Sequence, residues 1–256
     1  MAKDKIVFLG KVFPERLKVS LKTDFTINYQ INEINVPMEF QVEINEAAIR
    51  ATCIVENYKP EWLSWLYNYA LDFSRAQIDI VGFARGGAFE ISFERAELPP
   101  NGNITDLAFE VKELSNICLA FDINNGTQFS EVLRIILKNP NDFLAFSEAS
   151  LALRHPNQRM AACARAMERV RNSISPHESL EGKSWETMRN VLQIDRAYIQ
   201  AITDASREHR HGRLEFKTGG ENEEILKRTW TILNRFIIYR KGGSSALLSS
   251  QYPTLT

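Results

Sequence analysis

The sequence is poor in the features that announce chemistry. Its 256 residues include only three cysteines, Cys53, Cys118 and Cys163, and four histidines. The cysteines are odd in number, far apart and flanked by apolar residues, which points to buried free thiols in a reducing compartment rather than to a disulfide framework. A cytoplasmic protein is therefore expected. There is no Cys-x-x-Cys, and the tight pair His209 and His211 falls short of a four-ligand site, so no metal is expected. Neither a Walker A loop nor a dinucleotide-binding glycine fingerprint occurs, and no cofactor is expected. No apolar run approaches the roughly 20 residues that cross a bilayer. The run from Ile6 to Gly10 is too short for a signal-peptide core, so no membrane association is expected either.

What is present is an uneven distribution of charge and of hydrophobic period. The formal charge is −1, but residues 1–125 hold 12 Lys and Arg against 18 Asp and Glu, and the remainder holds 19 against 14. The acidic part alternates apolar and polar residues: Leu17/Val19/Leu21, Phe25/Ile27/Tyr29, Met38/Phe40/Val42/Ile44 and Ile49/Thr52/Ile54 each have the period of a half-buried strand. One helix interrupts them after Pro60, with Trp62, Trp65, Leu66, Tyr69 and Phe73 spaced by three and four. Ile78/Ile80/Val81/Phe83 and Phe89/Ile91/Phe93, separated by Gly86-Gly87, read as a hairpin. Leu107/Phe109/Val111 and Ile117/Leu119/Phe121 read as further strands.

Near Asn124 to Thr127 the period lengthens to about 3.6 residues. Helices are expected over 128–138, 141–154, 157–174, 184–206 and 221–240, the fourth capped by Ser184 and the fifth opened by acids that suit a helix N-terminus. The expected fold class is α+β: a mostly antiparallel β domain with one helix over 1–126, an all-α helical bundle over 127–243, and a flexible tail over 244–256.

Residues 154–213 concentrate the candidates, with eleven Lys and Arg against seven Asp and Glu and all four histidines. Arg171-Asn172 is followed at a helix end by His177, beyond the helix-stopping Pro176. A histidine there feels the negative end of the helix dipole, which favours its cationic form. In a second cluster, Arg207, His209, Arg210, His211 and Arg213 crowd about Gly212. If Arg207 and His211 share a helix they lie on one face and converge on one phosphate. Helix C-capping explains one or two such residues without chemistry. Arg154 and His155 lie between two expected helices and would extend the same basic surface. Cys163 sits on a small-residue helix face and is read as core rather than as a nucleophile.

The run Ala162 to Asn172, then Trp185 and a helix closing on Arg210-His211-Gly212, resembles HEPN-type helical domains of prokaryotic conflict and defence proteins. The resemblance covers about residues 128–241. It implies an Arg, a polar neighbour and a His after a short gap, and in active members a metal-independent ribonuclease working as a dimer. Arg171, Asn172 and His177 match in spacing, although they end an earlier helix. Arg207 and His211 match in position, with a gap of three residues where four to six are usual. On this resemblance RNA or a nucleotide is the expected ligand, and a homodimer forms through the helical domain. His211 or His177 would exchange protons while Arg207, Arg210 or Arg171 holds the phosphate. The competing expectation is a dimerisation or interaction module without catalysis, joined to a sensor-like β domain.

Overall fold

In the computed structural model, which describes residues 3–16, 18–31, 34–107, 111–207 and 219–256, the chain divides into two compact units, 1–109 and 110–256. The first is a six-stranded antiparallel sheet with one long helix. Its strands are β1 (Lys3–Phe13), β2 (Leu21–Ile31), β3 (Ile34–Asn45), β4 (Ala48–Glu56), β5 (Glu90–Leu98) and β6 (Asn103–Asp106), and its helix is α1 (Leu63–Arg85). Their spatial order is β2-β3-β4-β1-β5-β6.

The registers explain why the alternating residues are needed. Phe8 pairs with Ala51 and Ala96, Ile6 with Cys53, and Phe40 with Cys53. All of these side chains are buried in one cluster with Leu66, Tyr69, Ala70 and Ile78 of α1. One sheet face is therefore the core, and burying a side chain such as Phe8 there contributes about 1.5–3 kcal/mol. Charged pairs such as Lys3–Glu39 and Arg50–Glu97 stay exposed at 2.5 and 3.3 Å.

The expected hairpin over 78–93 is instead the second half of α1 followed by β5 alone. Ile78 is buried while Ile80 and Phe83 are exposed, at 69% and 91%, so the apolar run serves a helix face and not a strand pair. Short apolar runs fit either period, and here the run continues a helix already begun. Gly86 is left-handed at φ 63° and ends it.

The second unit contains α2 (Lys112–Ser115), α3 (Gly126–Ile136), α4 (Pro140–Arg154), α5 (Arg159–Ile174), α6 (Glu181–Leu192), α7 (Arg196–Ala205) and α8 (Gly219–Lys241). Helix α5 packs against α4, α6, α7 and α8. Its buried Ala162, Cys163, Ala166, Met167 and Val170, with Ala145, Ala149 and Ala152 of α4, make a small-residue contact. Small side chains there let helix axes approach closely.

Three details differ from the sequence expectation. Residues 117–121 are not a strand: Asn234 Oδ1 accepts from the Leu119 and Ala120 amides at 2.9 Å, and Ala120 belongs to the helical core. The division of the chain consequently precedes the change of period. The expected helix 184–206 is two helices, because Gln193 is left-handed at φ 54°, the Ile194 amide closes back on Arg189 O at 2.9 Å, and Asp195 caps α7 through the Ala197 amide at 2.7 Å. That is a Schellman stop followed by an N-cap restart. Ser184 is not the cap of α6, which starts at Glu181; its hydroxyl donates to Glu181 O. The third is the tail: residues 244–256 are docked, with Leu247 buried and Leu255 bridging Ile194.

Gly10 lies where the β1–β5 register shifts, and a Cβ there would sit 1.9 Å from Ser92 O and 2.6 Å from Phe93 Cα. Both are backbone atoms that cannot step aside. Gly10→Ala is expected to destabilise the sheet unit by about 1–3 kcal/mol, read as a lowered urea midpoint at unchanged slope.

Candidate functional site

Arg171 lies in the last turn of α5, which ends as the chain approaches Pro176. Its Nε and Nη2 donate to Asn172 Oδ1 at 3.2 and 3.1 Å, and Nη1 donates to Glu181 Oε1 at 2.6 Å. The guanidinium also stacks 4.8 Å from the ring centre of Trp185, whose indole N–H donates to the same Glu181 oxygen at 3.4 Å. Only 14% of the Arg171 side chain is exposed. Three donors and one planar face are thus used to fasten α5 to α6. Asn172 is spent on the same arginine. His177 is exposed in the following turn. Among the described residues, no hydrogen bond or ion pair joins Arg171 to His177.

Arg207 is in the opposite condition. It follows the end of α7, 66% of its side chain is exposed, and among the described residues its ion pair is with Asp204 at 3.4 Å, itself half exposed. Exposed pairs three apart contribute only about 0.3–0.5 kcal/mol and are readily exchanged for another anion. His209, Arg210, His211 and Arg213 lie outside the described residues. Asp204 also lines, with Ala201, Ala205, Glu221, Glu224 and Ile225, a groove of about 490 Å³ between the end of α7 and the start of α8. Glu224 is paired to Arg228 at 2.7 Å.

Arg154 and His155 close α4. The His155 amide donates to Leu151 O and its carbonyl accepts from the Gln158 amide, both at 2.9 Å, so the backbone of this pair serves the connection to α5. Other cations from the same basic stretch are held by packing. Arg159 donates to Ala152 O at 3.1 Å, and burial lowers its pKa. Arg165 binds Glu148 at 2.9 Å and Arg169 donates to Asn141 Oδ1 at 3.3 Å.

The polar cluster that sequence inspection missed is deeper. Asp142 is 1% exposed in the first turn of α4. Arg240 of α8 places Nε 3.0 Å from Asp142 Oδ2 and Nη2 3.1 Å from Oδ1. The Ser173 hydroxyl of α5 donates to Asp142 and accepts from Arg240 and from Asn139 Nδ2. An acid in a first helical turn is ordinary on dipole grounds, so nothing in sequence separates Asp142 from a solvated one. The thiols are not candidates. Burial pushes Cys163 up to about 11 despite Thr229 and Arg159 nearby, and pushes Cys53 well above the usual thiol range, so neither supplies a thiolate near neutral pH. Among the described residues, no group of three His, Cys, Asp or Glu side chains is placed to hold a metal ion, and no helix is long and apolar enough to cross a membrane.

Two family models cover these two units. Residues 6–107 match the N-terminal domain of DUF8168, a domain of unknown function, and residues 129–241 match its C-terminal domain. The chain belongs to the two-part DUF8168 family. Neither a curated protein nor a solved structure matches it. The N-terminal DUF8168 match spans the sheet and α1, and the C-terminal match begins within α3 and closes at the end of α8. Asp142, Ser173 and Arg240 all fall inside that second match.

Removing Asp142 would leave Arg240 charged and mostly buried. Asp142→Ala in this DUF8168 protein is expected to cost about 3–5 kcal/mol, measured as the shift in chemical denaturation of the helical signal.

Proposed function

We propose that the C-terminal DUF8168 domain is RNA-directed and cleaves RNA without a metal, through Arg207 and His211. The observation that carries this choice is the contrast between the two arginines of the HEPN-like motifs. Arg171 is withdrawn behind Glu181 and Trp185, whereas Arg207 is 66% exposed at the point where the His209 to Arg213 run begins. A phosphate is met by a cation that can leave a weak exposed partner, not by one whose donors are already satisfied.

The chemistry follows from the residue types. An RNA 2′-hydroxyl gives its proton to His211 and attacks the adjacent phosphate, the bond to the 5′-oxygen of the next nucleotide breaks to leave a 2′,3′-cyclic phosphate, His211 passes the proton to the departing 5′-oxygen, and Arg207 with Arg210 stabilises the charge on the phosphoryl oxygens. His209 and Arg213 add to the electrostatic attraction for the backbone. The protein acts in the cytoplasm, in bacterial defence on the HEPN resemblance, with the sheet domain as its sensor.

A second reading, a dimerising interaction module without catalysis, rests on α3. Phe129, Leu133 and Leu137 stand four apart and are 41%, 44% and 60% exposed, which forms an apolar stripe along one flank of a helix. The same stripe would serve a homodimer of the nuclease.

Incubation with labelled single-stranded RNA in EDTA separates the readings. The wild-type chain is expected to cleave, His211→Ala to lose about 10²–10⁴-fold in rate, and His177→Ala to keep its activity. Equal cleavage by wild type and His211→Ala contradicts the nuclease. RNA binding without cleavage, weakened by Arg207→Ala, supports the module.

A further inference from the structure

We propose that residues 244–256 form a separable strap whose docking on the α6–α7 junction holds α7 and, through it, Arg207. Two adjacent left-handed residues, Gly243 at φ 68° and Ser244 at φ 63°, turn the chain off the end of α8. The strap then runs back along α6. The Leu247 amide donates to Val191 O at 2.9 Å, and the Leu247 side chain is buried.

At its far end the strap behaves as an added strand. The Leu255 amide donates to Gln193 O at 3.0 Å and Leu255 O accepts from the Asp195 amide at 2.8 Å, bracketing Ile194 in a parallel bridge. Arg235 of α8 lies behind this bridge and is 8% exposed. Its Nη1 donates to Leu192 O at 3.0 Å and Gln193 O at 2.5 Å, and its Nη2 to Pro253 O at 2.6 Å. One buried guanidinium therefore joins the end of α6 to the strap. Its planar, forked donors suit three carbonyls in a way an ammonium does not.

The consequence falls on α7. Asp195 is the N-cap of that helix, and the strap takes the Asp195 amide while its carboxylate holds Ala197. With ten residues α7 is too short to persist by propensity alone, so its direction depends on anchors at its ends and on packing against α5 and α8. The end away from the strap leads to Arg207. The strap meets the α4–α5–α8 contact only near its root, where the Ser244 hydroxyl accepts from Arg240 Nη1 at 3.0 Å, and the carbonyls it covers at the end of α6 are of the kind that water satisfies when uncovered. Lifting the strap would loosen the junction and α7 before the bundle.

The test is amide hydrogen exchange on the full chain, with RNA affinity measured in parallel; the link to RNA rests on the function proposed above. Leu255→Asp is expected to raise exchange at Ile194, Asp195 and through α7 by about tenfold, with α5 and α8 unchanged and RNA affinity reduced. Arg235→Lys should act in the same direction more weakly. Unchanged exchange in α7 in both variants overturns the strap, and so does an equal rise in α5 and α8. A loosened α7 with wild-type RNA affinity overturns its coupling to Arg207. If the wild-type chain binds no RNA, the proposed function fails while the exchange result still decides the strap.

Discussion

Asp142 is a carboxylate almost without solvent, and its charge is met by Arg240 from the far end of the helical unit and by the hydroxyl of Ser173. These three residues belong to α4, α8 and α5, so one buried polar contact ties together three helices, two of which, α4 and α5, are also joined by Arg165–Glu148 and Arg169–Asn141 nearer the surface. The groups around it are shared between roles: Asn139 caps α4 through the Asn141 amide and also reaches Ser173, and Arg240 rests over Phe236 and Tyr239. A buried ionic network of this kind specifies one arrangement more than it adds stability. Its effect reaches the α5–α6 junction because Ser173 is two residues from Arg171. The end of α5 is held by Asp142 and Arg240 through Ser173, and by Glu181 and Trp185 through Arg171.

That engagement changes the meaning of the charge distribution. Divided where the units divide, residues 1–109 hold 11 basic against 15 acidic residues and residues 110–256 hold 20 against 17. The helical unit is basic by three charges, yet Arg159, Arg165, Arg169, Arg171, Arg235 and Arg240 all bind protein groups. Excess positive charge in sequence is therefore a poor count of the charge offered to a ligand. Arg207, beside the His209 to Arg213 run, keeps most of its surface in solvent.

The parts of the fold legible in sequence were those in which one face of a regular element is apolar over its whole length. Met38, Phe40, Val42 and Ile44 alternate without a break and do form the inner face of β3. The α+β sheet unit followed by helices is the observed architecture. Ile78 to Phe83 misled because Ile80 and Phe83 are exposed, which leaves Asp79 as the one charged residue in that stretch to mark the solvent side of the helix. Ile194 hid the break between α6 and α7, since an apolar residue sits at the break and is buried by Leu255, 61 positions away in sequence. For the site, the spacing of Arg171 and His177 was legible but the partners of Arg171 were not. Glu181 and Trp185 reach it only because α6 folds back on α5, a tertiary fact that spacing does not carry. Asp142 and Arg240, 98 residues apart, were invisible for the same reason.

On the function proposed above, two similar arginines have opposite jobs, one holding helices together and one meeting RNA. Salt dependence of RNA affinity distinguishes these directly, because each phosphate contact adds to the slope of log K against log salt. With Arg207→Met the slope should fall by about 0.7 for a single strand while thermal stability is kept. With Arg171→Met the slope should be that of the wild type while the melting temperature drops. A reduced slope in Arg171→Met together with an unchanged slope in Arg207→Met would contradict the assignment.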